Sequence, residues 1–115
     1  MLKDYKESDW YEPNKEAIAG LSNKEFELVV AHHSSCGDCQ YTLPILNKIL
    51  KNLPNVKVTD VVVNPSTKKD PAGIAEKYQV RKIPTIIALQ NGKEVARIIE
   101  YPAVTVEQDF NAKLK

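Results

Sequence analysis

Apolar and polar positions change period several times along the chain. Phe26 to Ala31 (FELVVA) is a short Val-rich run between polar residues and reads as a strand. From Gly37 onward the apolar residues recur with helical spacing, so that Tyr41, Leu43, Ile45, Leu46, Ile49, Leu50 and Leu53 form one broad face. Pro44 predicts a kink in that helix, and Pro54-Asn55 ends it. Val56 to Val63 (VKVTDVVV) is a second strand, followed by a polar stretch from Asn64 to Asp70. Pro71 suits the first turn of a helix running to about Tyr78. Thr85 to Leu89 reads as a third strand after Ile83-Pro84. Gln90-Asn91-Gly92-Lys93 is a hairpin turn, and Glu94 to Ile99 returns as a fourth strand. Thr105 opens a closing helix, with Gln108 placed as a capping-box partner.

Ahead of these elements, residues 1–25 read as an amphipathic helical lead-in. Asp9 or Ser8 would cap a helix carrying Trp10, Ala17, Ile18 and Leu21, with Pro13 near its start and Gly20 near its end. The order αβαβαββα contains a parallel βαβ unit and then an antiparallel hairpin. The expected architecture is α/β, one mixed sheet of four strands flanked by helices.

Composition narrows the partners. A chain of 115 residues fits a single domain over residues 1–115, and 43% hydrophobic residues suffice for one packed core. Charged residues make up 27% and the net charge is +1, which gives no electrostatic reason to expect nucleic acid or an anionic membrane. Apolar runs such as Leu28–Ala31 and Ile86–Leu89 are too short to span a bilayer. The polar stretch Met1 to Trp10 has no signal-peptide core, so a cytoplasmic setting is expected, or a periplasmic one if a leader has been cleaved.

The two cysteines, Cys36 and Cys39, are the candidate chemistry. A structural disulfide framework would use more cysteines and close longer loops. Cys36-Gly37-Asp38-Cys39 instead falls where a strand ends and a helix begins. Unpaired N–H groups and the positive end of the helix dipole favour a thiolate there, and the thiolate is the attacking species. Cys36 is expected to be the exposed nucleophile, and Cys39, one turn inside the helix, the residue that resolves the mixed disulfide.

The stretch from Cys36-Gly37-Asp38-Cys39 through Pro44-Ile45-Leu46 resembles the motif helix of the thioredoxin family. Ile83-Pro84-Thr85 resembles its cis-proline segment, and Asn91-Gly92-Lys93 its hairpin turn. Arg97 to Pro102 is similar to the end of the last strand in a bacterial thioredoxin-like branch, and the resemblance extends from about Glu27 to the C-terminus. It implies a thioredoxin fold and thiol–disulfide exchange, most simply as a reductase without a cofactor or metal. It also implies that Pro84 is cis and lies against the cysteines, with the Ile83 backbone offering hydrogen bonds to an extended substrate. Ser35, Gly37, Asp38 and Tyr101 would complete the substrate-facing surface. The implied partners are disulfide-containing proteins and a reductase that recycles the dithiol, the chain itself acting as a monomer.

Several residues depart from the family pattern. Ser35 stands where thioredoxins carry a tryptophan, and Val30 where they carry a buried carboxylate for proton transfer. Asp60 is then either a substitute carboxylate on the neighbouring strand or a solvated charge. Asp38 suits the helix dipole, but its charge opposes thiolate formation at Cys36, which favours a reductant over an oxidant. His32 and His33 either modulate the thiols or simply end the strand. Tyr101 either replaces part of the lost aromatic surface or packs under the last helix. Two other functions compete with turnover. One is a redox sensor or binding protein on the same fold. The other is a metal module built from His32 or His33 with both cysteines.

Overall fold

The computed structural model describes residues 1–115. Its elements are α1 (Lys15–Ser22), β1 (Glu27–His32), α2 (Gly37–Lys51), β2 (Lys57–Val62), α3 (Ile74–Lys77), β3 (Thr85–Gln90), β4 (Lys93–Ile99) and α4 (Val106–Lys113). The four strands form one mixed sheet in the order β2-β1-β3-β4. β1 runs parallel to β2 and antiparallel to β3, and β3 pairs antiparallel with β4. The central strands β1 and β3 carry near-continuous apolar runs because both of their faces are covered, and Val30, Ile86, Ile87 and Ala88 are wholly buried. No helix is long and apolar enough to cross a membrane.

Strand ends differ by a residue or so from the expected ones. Pairing of β1 begins at Glu27, opposite Lys57 and Leu89, so Phe26 lies just outside it, and His32 closes the strand opposite Val62. The predicted Asn91-Gly92 turn is present, with both residues at positive φ (56° and 76°). Helix α2 continues through Pro44 and buries Leu43, Leu46, Ile49 and Leu50. Tyr41, expected on that apolar face, is instead exposed, and its ring lies 6.1 Å from that of Trp10. Thr105 caps α4 by accepting the Gln108 N–H at 3.2 Å, while the Gln108 side chain takes the Thr105 hydroxyl at 2.8 Å.

The helical lead-in over residues 1–25 is mostly absent. α1 starts only at Lys15, capped by Asn14, whose side chain accepts the Ala17 N–H at 2.9 Å. Pro13 disfavours helical geometry in the residue before it, and residues 1–14 find other partners. Leu2 is held by Asn47, and the Ser8 N–H donates to the Pro44 carbonyl at 3.0 Å. The Tyr11 hydroxyl and the Asn14 N–H both bond Glu107. The segment is a strap across the helices, with Trp10 left exposed.

The helix expected from Pro71 to Tyr78 also shortens to Ile74–Lys77. Gly73 sits in the left-handed region (φ 75°) and breaks the helical run after Pro71. The Asp70 carboxylate then accepts the Ala75 N–H at 2.7 Å and the Ile74 N–H at 3.2 Å, which holds the carboxyl below the usual range.

Candidate functional site

Cys36 is the N-cap of α2, in extended geometry, and its sulfur accepts the Cys39 N–H at 3.1 Å. A side chain with one of the free donors at a helix N-terminus is favoured as an anion. The Cys36 Sγ also lies 3.5 Å from the Ile83 carbonyl, to which the thiol donates. Both cysteines are free, Cys36 partly exposed and Cys39 wholly buried. Burial is the main reason that the Cys39 thiol is pushed up to about 12. The hydrogen bond with Cys36 acts the same way, the His33 backbone N–H opposes it, and the charges of Cys36 and Asp38 add smaller upward contributions.

The Ile83–Pro84 peptide is cis, and both residues are buried beside Cys36. The Pro84 carbonyl accepts the Glu100 N–H at 2.7 Å, and the Glu100 carbonyl accepts the Thr42 hydroxyl at 3.4 Å. These bonds tie the loop after β4 to both sides of the cysteine pair. Tyr101, the next residue, is 67% exposed, so it does not pack under the last helix. Gly37 and Asp38 occupy the exposed first turn of α2.

The two histidines behave differently. His33 turns onto its own loop, where its Nδ1 meets the exposed Ser35 through the hydroxyl at 2.8 Å and the N–H at 3.0 Å. His32 is wholly buried, and both of its ring nitrogens are engaged. Nδ1 meets the Tyr5 hydroxyl at 2.8 Å, and Nε2 pairs with Asp60 Oδ1. Asp60 is the register partner of Val30 across β1 and β2. A carboxylate absent from position 30 is therefore present on the adjoining strand. The edge-strand residue is open to solvent as a whole, but its side chain is only 25% exposed. No group of three or more His, Cys, Asp or Glu side chains is arranged to hold a metal ion.

Three residues that tie the strap to the rest of the fold left little or no sign in the sequence. Tyr5 lies in a charged run far from the cysteines, yet its ring meets His32 edge-on at 5.1 Å. Burial raises its hydroxyl well above the ordinary range, followed by the nearby Cys39 and Cys36 thiols, Asp4 and Asp60. Glu107 looked like an ordinary acidic residue in a first helical turn, but it is wholly buried against Tyr11 and Asn14. Asn47 did leave a signal, as a polar residue flanked by Leu46 and Ile49 on an apolar helix face.

A Cys-x-x-Cys pair at a strand–helix junction, set against a cis-proline on a β2-β1-β3-β4 sheet, defines a thioredoxin-fold dithiol protein. The chain belongs to the thioredoxin family, whose model, described as Thioredoxin, matches residues 1–113. It is 36% identical to a thioredoxin of Chlamydia pneumoniae over 64 residues, 56% of this chain and 58% of that one. The match thus spans little more than half of that relative. It is 30% identical to thioredoxin H-type 1 of Nicotiana tabacum over 95 residues, covering 83% of this chain and 69% of the relative. The fold is shared with thioredoxin O2 from Arabidopsis thaliana in its oxidized state, at a TM-score of 0.63 and 17% identity over 87% of this chain and 85% of that one.

Proposed function

We propose that the protein is a thiol–disulfide oxidoreductase that reduces disulfides in protein substrates. The observation that carries this reading is the division of labour at the α2 N-terminus. The Cys36 sulfur is partly exposed and bonded by the Cys39 N–H, while the Cys39 sulfur is buried one turn inside. Cys36 as thiolate attacks one sulfur of a substrate disulfide, forming a mixed disulfide and releasing the first substrate thiolate. Cys39 then loses its proton and attacks Cys36 Sγ, which forms the Cys36–Cys39 disulfide and releases the second thiolate. A reductase returns two electrons and two protons to the pair, most simply in a reducing compartment.

The direction of exchange follows from the charge beside Cys36. Asp38 in the first turn opposes the thiolate that the helix end favours, and a less stabilised thiolate makes the dithiol the stronger reductant. Ser35, Gly37 and Asp38 form the polar side of the substrate surface. Tyr101 supplies an exposed aromatic on the loop that bonds Pro84. The Ile83 backbone lies where an extended substrate segment would align.

Dithiothreitol-driven reduction of insulin tests the reading. Wild type is expected to turn over and Cys36→Ser to be inactive. Cys39→Ser is expected to accumulate substrate on Cys36 as a stable mixed disulfide. The absence of turnover in wild type favours the second reading, a redox sensor on the same fold. Wholly buried Val30, which cannot move a proton, is the observation behind that alternative.

A further inference from the structure

Trp10 and Tyr41 both stand in solvent, 66% and 62% exposed. Their ring centroids lie 6.1 Å apart with the planes tilted by 39°, a splayed pair rather than a closed stack. The strap puts Trp10 there. Glu7 pairs with Lys51 at 3.1 Å in the last turn of α2, and the Ser8 N–H reaches Pro44 in the middle of the helix. Trp10 then meets Tyr41 toward the cysteine end. Tyr11 supports the indole edge-on at 5.7 Å and is itself anchored on Glu107. Tyr41 follows Cys36 by five residues along α2, about 7.5 Å of axial rise. The aromatic pair thus continues the surface of Ser35, Gly37 and Asp38 beside the attacking sulfur, and it supplies the aromatic that Ser35 does not.

Charge narrows what this surface takes. Asp9 precedes Trp10 in the chain, and Asp38 lies one turn before Tyr41 on α2. Both are exposed, and neither belongs to an ion pair. The lysines of α2, Lys48 and Lys51, are both taken by Glu7. Glu12 turns to a separate groove that it shares with Lys15, Lys48 and Lys51, and Lys6 is the exposed cation on the strap before Glu7. Ring faces attract a cation through their quadrupole, and uncompensated carboxylates beside them add to that attraction. An acidic segment laid along the same surface would meet Asp9 and Asp38 with nothing to offset them.

We propose that Trp10, Tyr41, Asp9 and Asp38 form a docking subsite for a Lys or Arg side chain of the protein substrate. That cation sits about three residues from the cysteine that Cys36 attacks, the reach of an extended segment from the sulfur to the aromatic pair. The proposal rests on the dithiol chemistry above and names its substrate class, disulfides flanked by basic residues.

The test uses the reduced full chain and a pair of short peptides, each with its cysteine blocked as a pyridyl disulfide and with Arg or Glu at that spacing. The Cys36 thiolate attacks the peptide sulfur, the bond to the pyridyl sulfur breaks, and thiopyridone leaves and is followed by its absorbance. Each peptide rate is divided by the same protein's rate with dithiodipyridine, a neutral disulfide without a peptide. The Arg peptide is expected to react about tenfold faster than the Glu peptide in wild type. Trp10→Leu keeps apolar bulk without the ring face, and Asp9→Asn removes one charge. Each should bring the preference down to about threefold, and added salt should shrink what remains. A wild-type preference within about twofold, or a full preference in Trp10→Leu, would overturn the subsite. Trp10 is the only tryptophan, so its fluorescence reads docking without any sulfur chemistry. A cysteine-free Arg peptide should change that fluorescence, and its Glu counterpart should not. A response confined to the Arg peptide, in a protein that leaves insulin intact, would refute the reductase reading and support the subsite. Insulin turnover with equal peptide rates would overturn the subsite alone.

Discussion

Asn47 holds the backbone of Leu2 from both sides: its Oδ1 accepts the Leu2 N–H at 2.8 Å, and its Nδ2 donates to the Leu2 carbonyl at 2.9 Å. The same Nδ2 reaches the Tyr5 carbonyl at 3.1 Å. One buried amide on α2 therefore fixes the strap that carries Tyr5 to His32.

Asn47→Ala should remove these bonds and leave buried backbone groups on the strap without partners. The expected loss is about 3 kcal/mol of folding stability, measured by urea denaturation. A loss below about 0.5 kcal/mol would mean that the strap is held elsewhere.

Iodoacetamide applied to the reduced protein at about pH 8 should give one adduct, on Cys36, by mass spectrometry of peptides. Cys39 is wholly buried and its thiol is pushed up to about 12, chiefly by that burial. Cys36→Ser should then resist alkylation until the protein is unfolded. Two adducts forming at similar rates would contradict the buried placement of Cys39.

Tyr11 links stability to alkaline pH. Its hydroxyl is raised from 10.0 to about 12 by burial and then by the hydrogen bond and charge of Glu107. A raised folded value means that the folded state keeps the proton longer than the unfolded state. The contribution is complete below pH 10 and is lost as pH rises toward 12. Tyr5 titrates in the same direction, so the comparison must be between wild type and Tyr11→Phe. Denaturation midpoints should fall less steeply over this window in Tyr11→Phe. Equal slopes would show that Tyr11 does not take part.

Glu100 adopts a left-handed backbone (φ 68°) in the loop that bonds Pro84 and Thr42. Glycine takes this conformation without strain, so Glu100→Gly should change stability by less than about 1 kcal/mol. Glu100→Val places a branched Cβ in a disfavoured region and should cost about 2 kcal/mol. Thermal unfolding of the two variants checks the order, and a Val variant as stable as the Gly variant would refute it.

What could be read in the chain depended on how local each signal is. The Val-rich runs of β1 and β2, the Asn91-Gly92 turn and the Thr105 cap rest on contacts within a few residues, and they formed where expected. The cysteine pair at the start of α2 was legible for the same reason, since strand end, thiols and helix N-terminus are consecutive. The strap and the shortened α3 were not. Helical periodicity over residues 1–25 counted Trp10 as core, but long-range bonds to Asn47, Pro44 and Glu107 offer that backbone better partners than a helix interrupted by Pro13.

The sequence alone singled out the cysteine pair as the candidate chemistry, because a Cys-x-x-Cys at a helix start is defined within its own turn. Only the tertiary structure decided what surrounds it. Strand alternation left Asp60 undecided between solvent and site, and His32 undecided between strand end and modulator. The sheet packing that brings Asp60 onto His32, and the strap that brings Tyr5 onto the same ring, join residues 28 and 27 positions apart. Such contacts depend on how separate elements pack, and no local pattern encodes them.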